Sequence, residues 1–360
     1  MIPFREAIML VEQAKDVARR WVDEEASTLP GFSGAFYHGS TTWFADDAVL
    51  PATSDVDLVV ALAGPTLPVN PGKFLYRHVL LDVSYLAQNQ LQAADVILGQ
   101  SDMAGSLRIP SIIADPSGEL TILQAAVARD YAKLRWVRRR CEHARDKILR
   151  NLESLQEAAP FHDQVTAWLF ATGVTTHVLL VAGLKNPTVR QRYLATCELL
   201  AEYGHVDFYE SLLELLGCAQ MSQARAEQHL ATLTEAFDAA KAVVRTPFFF
   251  AADISDTARP IAIDGSRALI ERGCQREAIF WMVATYSRCQ KVLYQDAPLE
   301  LQKRYHPGYL DLLTDLGIRS TADLRQRGEQ VREFLPRLWE VTEAILAANP
   351  GIEDRPGTRI

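Results

Sequence analysis

The sequence predicts an α+β protein, with a small mixed sheet within residues 1–158 and an all-helical domain over residues 159–360. Three observations carry this reading. In the first part, short apolar runs alternate with polar residues and are bounded by Gly, Pro and Asp, as strands are. Beyond Phe161, apolar residues recur at threes and fours over long stretches with brief breaks, as helices require. A chain of 360 residues is also long enough for two domains.

Taken in order, residues 3–25 place Ala7, Leu10, Val11, Ala14, Val17, Ala18 and Trp21 on one helical stripe, which should pack across the sheet. Leu29-Pro30-Gly31 ends that helix. A first strand-like run closes in Gly39-Ser40, and a second covers residues 54–62. Residues 63–72, with Gly64-Pro65, Pro68 and Pro71-Gly72, read as a loop. Residues 76–86 read as a further strand, 88–98 as a helix and 108–114 as a short strand. Asp115-Pro116-Ser117-Gly118 has the composition of a turn. Residues 121–155 read as one long basic helix, counted with the first domain, in which Leu134, Val137, Cys141, Ala144, Ile148, Leu152 and Leu155 repeat at threes and fours.

The chemistry concentrates in residues 34–86. Side chains alternate faces along a strand, so Asp55 and Asp57 share one face while Val56, Leu58 and Val60 share the other. Two carboxylates held that close raise each other's pKa, and a divalent cation relieves the repulsion. Asp82, among apolar neighbours on the later strand, is a third carboxylate that converges with them if the two strands pair. Such a trio suits two Mg²⁺ ions that bind nucleotide phosphates and assist an in-line displacement at phosphorus. Gly39-Ser40, at a strand-to-helix turn, would offer backbone N–H groups and a hydroxyl to the phosphates.

In this order, Gly39-Ser40, then Asp55-Val56-Asp57, then Asp82, the chain resembles the DNA polymerase β-type nucleotidyltransferase superfamily. Its small stand-alone members, similar to the aminoglycoside adenylyltransferases, are the nearest likeness. The strand, Asp-Pro-x-Gly turn and following helix at 108–121 add to it. The resemblance implies a small mixed-sheet domain of the polymerase β type and a helical domain closing one side of a cleft. It implies that Ser40 contacts the triphosphate, that Asp55 and Asp57 hold the metals, and that Asp82 completes the metal site or acts as base. The expected activity is Mg²⁺-dependent transfer of a nucleoside monophosphate from an NTP, ATP being the expected donor, to a hydroxyl of a small molecule, with release of pyrophosphate. The likeness covers a minor part of the chain, and the 41–54 segment, with Trp43, Phe44, Asp46 and Asp47, is longer than the family pattern. Taken singly, an Asp-x-Asp pair or a Gly-Ser pair is common in loops and turns. Two other readings stay open: a non-catalytic nucleotide-binding or interaction protein, and transfer to RNA or to a protein side chain.

Within the basic helix, Lys133, Arg135, Arg138, Arg139, Arg140, Arg145, Lys147 and Arg150 read as a solvated face offset by Glu142 and Asp146. Their alternative role is to reach a triphosphate or an RNA. In the helical part, Arg190, Arg192 and Tyr193 at a helix entrance read as surface residues. Residues 276–296 read as a core helix, with Arg276, Arg288 and Lys291 off its apolar stripe. Residues 165–184 are long enough to span a bilayer, but their threonines, His177 and two glycines favour a buried core helix.

A formal net charge of −8 and a pI near 5.6 argue against an extended nucleic-acid surface. Cys141, Cys197, Cys218, Cys274 and Cys289 lack metal-type spacing and read as reduced, buried thiols. The opening residues MIPFREAIML show no signal-peptide pattern, so the expected location is cytoplasmic, with no membrane partner. His38 and His78 flank the acids with structural roles expected for both. P-loop, dinucleotide-binding and α/β-hydrolase motifs are absent from the sequence.

Overall fold

The structure, a computed structural model, describes residues 9–353. The expected helical start at residues 3–8, with Ala7, lies outside the described residues. The chain divides into two compact units, Met1–Tyr131 and Ala132–Ile360.

The first unit holds a five-stranded mixed sheet: β1 Phe32–His38, β2 Val56–Leu62, β3 Gly72–Tyr76, β4 Val79–Ala87 and β5 Ile112–Ala114, in the order β3-β4-β2-β1-β5. The pairs β1/β2, β1/β5 and β3/β4 are antiparallel, and β2/β4 is parallel. Helix α1, Val11–Glu24, buries Ala14, Ala18, Trp21 and Val22 against one face of the sheet, where Ala35, Tyr37, Val56, Leu58, Val60, Leu81 and Val83 meet it. A fully buried side chain of Val size or larger contributes about 1.5–3 kcal/mol, so this layer holds α1 and the central strands together. The alternation expected for residues 54–62 therefore puts Val56, Leu58 and Val60 in the core and the carboxylates on the opposite face.

Residues 76–86 are not one strand. Tyr76 ends β3, Arg77 and His78 form a two-residue turn with φ of 47° and 70°, and β4 begins at Val79. Such a turn normally calls for Asn or Gly, whose positive φ costs little; here Tyr76 and Arg77 are anchored on Glu24, with Arg77 Nη2 2.8 Å from its carboxylate. Residues 63–72 thus lead into a strand that the sequence pattern does not announce. The expected 88–98 helix is a 3₁₀ turn, Gln88–Leu91, followed by the short α2, Ala94–Leu98, and the expected 108–114 strand shrinks to β5. The 115–118 turn forms as expected. Asp115 accepts from the Thr121 N–H at 2.8 Å and so satisfies the start of α3, Glu119–Asp130.

The second unit is helical: α4 Leu134–Glu153, α5 Phe161–Ala182, α6 Arg192–Glu202, α7 Val206–Leu216, α8 Gln223–Val243, α9 Gly265–Glu271, α10 Gln275–Asp296, α11 Leu299–Asp315 and α12 Thr321–Ala348. The single helix expected over 121–155 is interrupted at 131–133, and the two compact units divide inside that stretch. No Pro or Gly marks the break. Glu353 pairs with it as a strand would, donating its N–H to Ala132 O and accepting from Leu134 N–H, both at 3.0 Å. Lys133 is extended to make this possible.

Helix α5 is long and apolar enough to cross a membrane, but 83% of its most apolar window is buried within the protein, chiefly against α4, α10 and α12. Helix α10 is likewise buried along most of its length, as a core helix should be. On α4, Arg138 pairs with Glu343 at 2.7 Å and Arg145 lies over the Trp339 ring, so part of its basic face packs on α12 rather than standing in solvent. Among the described residues all five cysteines are free thiols; Cys141, Cys218 and Cys289 are buried, Cys197 and Cys274 half-buried.

Candidate metal centre

Strand register assembles the site. The antiparallel β1/β2 pair sets His38 opposite Asp57, the parallel β2/β4 pair sets Asp57 beside Asp82, and the β3/β4 hairpin sets Lys73 opposite Asp82. His38, Asp57, Asp82 and Lys73 therefore form a row across four strands on the face away from α1. Asp55, two residues before Asp57, falls on the same face. Asp55, Asp57 and Asp82 each present a carboxylate oxygen, and these oxygens lie within 4.8 Å of one another. All three residues are half-buried.

Lys73 sits among them. Its Nζ is 2.7 Å from Asp55 Oδ2 and also contacts Asp82 Oδ2. The Lys73, Asp55 and Asp82 side chains keep 11%, 17% and 26% of their surface exposed, so water screens these pairs only partly. Three carboxylates against one ammonium leave the cluster with excess negative charge. Burial, then the neighbouring Asp55 and Asp82 charges, push the Asp57 carboxyl well above the usual carboxylate range; Lys73 and the Ser40 N–H pull the other way.

The Gly39-Ser40 turn is shaped to Asp57. Gly39 has φ 61°, and a Cβ there would stand 1.9 Å from Asp57 Oδ2, so only glycine lets the turn approach this carboxylate. The Ser40 N–H donates to Asp57. Strand β1 leads into a single 3₁₀ turn, Ser40–Thr42, rather than into a helix. The backbone amide expected to face phosphate thus already serves a carboxylate, while Ser40 itself stays half-exposed.

His38 caps the row structurally. Its Nδ1 lies 2.6 Å from Ser106 Oγ, and burial holds its pKa down, so it adds no cation near neutral pH. The longer 41–54 segment is also occupied with the fold. Trp43 stacks under the Arg108 guanidinium at 3.4 Å, and the Asp46 and Ala48 carbonyls accept the first N–H groups of α1, from Glu12 and Val11, at 2.9 Å. Asp46 also pairs with Lys15 at 2.7 Å. Phe44 and Asp47 are exposed.

The structure brings together all five residues singled out in the sequence, Gly39, Ser40, Asp55, Asp57 and Asp82, and adds Lys73. Lys73, Phe74, Leu75 and Tyr76 show no polar–apolar alternation, and Arg77-His78 carries no turn composition, so nothing local exposes the hairpin.

The basic residues singled out in the later part of the helical unit, Arg190, Arg192, Arg276, Arg288 and Lys291, pack or pair within it. Arg192 and Tyr193, expected at the surface, are buried: Arg192 is 1% exposed, its Nε donates to Val189 O at 2.7 Å, and its guanidinium lies 3.9 Å from the Phe280 ring centre. Arg190 packs on Gly265. Arg276 pairs with Glu210, the buried Arg288 with Asp253 and Lys291 with Asp163, at 2.8–2.9 Å.

No protein-family model matches the chain, and a search of curated protein sequences returns no match. Its site is therefore defined by its own geometry: a carboxylate cluster at facing positions of a parallel strand pair, beside a glycine turn.

Proposed function

We propose that the protein is a nucleotidyltransferase of the polymerase β type, which moves a nucleoside monophosphate from an NTP to a hydroxyl of a small molecule and releases pyrophosphate. One observation carries the reading: Asp57 and Asp82 face each other across parallel strands with Asp55 alongside, three carboxylate oxygens within 4.8 Å on an apolar-backed sheet. The donor set fits Mg²⁺. Its atoms are hard carboxylate oxygens, three carboxylates set against the one ammonium of Lys73.

Asp55, Asp57 and Asp82 would hold the metal. When bound, Mg²⁺ would neutralise the triphosphate and favour an ionised acceptor hydroxyl. The chain's own part is positioning and charge. The apolar layer of Val56, Leu58 and Leu81 fixes the strands that carry the acids. The Gly39 turn holds Asp57 in place, and Ser40 is the residue assigned to the triphosphate. Asp82 takes the acceptor proton as the acceptor oxygen bonds to the α-phosphorus and the bond to the pyrophosphate oxygen breaks.

The test is a pyrophosphate-release screen of ATP, CTP, GTP and UTP against aminoglycosides, lincosamides and cell extract, with Asp57→Asn as blank. The expected result is Mg²⁺-dependent release by the wild type that falls about 100-fold or more in Asp55→Asn and Asp57→Asn, with unchanged circular dichroism. Mg²⁺·NTP affinity that is the same in both variants as in the wild type would refute the assignment.

A further inference from the structure

We propose that Lys73 is the resident counter-ion of the acidic centre: in the nucleotide-free protein its ammonium holds the place between Asp55 and Asp82 that a divalent cation takes, and the cation enters only as Lys73 leaves. This role for Lys73 rests on reading the centre as a metal site. Lys73 Nζ lies 2.7 Å from Asp55 Oδ2 and contacts Asp82 Oδ2, on a side chain that is 11% exposed. A Mg²⁺ ion bonds to carboxylate oxygen at about 2.0–2.1 Å. An ion shared by those same two oxygens would fall inside the volume of the ammonium. Two cations at such separation also repel strongly where water is mostly excluded.

Lys73 is placed to give way. It stands on β3, an edge strand of the sheet, so its departure disrupts no central strand, and its four-carbon stem can swing while the backbone pairing to β4 stays intact. Once displaced, it remains beside the centre as a compact positive charge suited to a phosphate oxygen. The wild-type protein should therefore take up a divalent ion weakly on its own and better when a triphosphate accompanies it, because the phosphates offer Lys73 a new partner.

Two measurements test this on the full chain, with Mn²⁺ as the probe. In the first, Mn²⁺ is titrated into wild type, Lys73→Met and Asp57→Asn without nucleotide. Lys73→Met should bind Mn²⁺ about tenfold or more tighter than wild type, and Asp57→Asn should lose binding. In the second, wild-type protein is labelled with acetic anhydride, and acetylation of Lys73 is followed by peptide mass spectrometry. Labelling of Lys73 should rise severalfold when Mn²⁺ is added, a readout that stands even if Lys73→Met fails to fold. Equal or weaker Mn²⁺ binding by a folded Lys73→Met, or Lys73 labelling that Mn²⁺ leaves unchanged, overturns the role of Lys73 while the metal reading survives through Asp57→Asn. Absence of Mn²⁺ binding to both wild type and Lys73→Met overturns the metal reading and this proposal with it.

Discussion

Asp57 stands in the middle of the acidic row, and its behaviour with pH reflects that. Its carboxyl titrates well above the usual range, first through burial and then through Asp55 and Asp82. Between the unfolded value and the raised folded value, the folded state binds more protons than the unfolded one, so folding stability falls as pH rises across that interval and levels off above it. Asn at this position has no such dependence. In metal-free protein, urea unfolding of wild type and Asp57→Asn should show the wild type gaining on the variant as pH is lowered toward 4. The reverse trend would mean that Asp57 is stabilised as a carboxylate. Gly39 is the second residue on which the centre depends. Alanine there would suffer a φ of 61° and a methyl group 1.9 Å from Asp57 Oδ2. Gly39→Ala should cost about 1–3 kcal/mol by chemical denaturation and should weaken Mn²⁺ binding, because relief of the clash moves the carboxylate. Unchanged Mn²⁺ affinity would show that the turn does not position Asp57.

The β3/β4 hairpin is the element that turns an acid pair into a charged row. It carries Lys73 to Asp82 through the turn at Arg77-His78, two residues in the left-handed region that favours glycine. His78 is exposed, so its side chain offers little against the backbone cost of about 1–2 kcal/mol for a positive φ. Glycine removes that cost and loses about 0.5–1 kcal/mol in unfolded-chain entropy. His78→Gly should therefore raise stability by a few tenths to about 1 kcal/mol, seen as a higher urea midpoint. A lower midpoint would show that the imidazole contributes contacts. The 41–54 segment matters for a different reason. Its carbonyls satisfy the first N–H groups of α1, so its extra length serves the helix that backs the sheet.

At the scale of the whole chain, the helical unit is organised around α5 and α10, and the fit between them is tight. A methyl group on Gly173 would lie 2.3 Å from a Phe280 ring carbon and 2.6 Å from Arg192 Nη1. A core packed to this density yields poorly. Gly173→Ala should destabilise the protein by about 1–3 kcal/mol, measured by thermal or urea unfolding. A neutral result would mean that Phe280 and Arg192 move aside freely. The same close packing explains why Arg192, polar by composition, is buried: its stem and planar head fill space between α5 and α10 while Nε finds a backbone carbonyl.

By itself the sequence determined what depends on local chemistry. Alternation in residues 54–62 separated the core face from the acid face, helical spacing marked α1 and α10, a long apolar run marked α5 as a buried helix, and Asp115 to Gly118 announced its turn. Asp55 and Asp57 were legible as a candidate pair because strand periodicity puts both on one face whatever the strand pairs with, and Gly39, Ser40 and Asp82 were joined to them through the resemblance that their order along the chain carries. Tertiary structure decided the rest, because each remaining feature depends on a partner distant in sequence. Asp82 meets Asp57 only through the parallel register of β2 and β4. Lys73 reaches the acids only through the antiparallel register of β3 and β4, in a hairpin that its own turn residues do not favour. The break at 131–133 exists because Glu353 supplies the hydrogen bonds that a continuous helix would have made internally. Backbone groups must be paired once buried, and which partner satisfies them is a property of the folded chain.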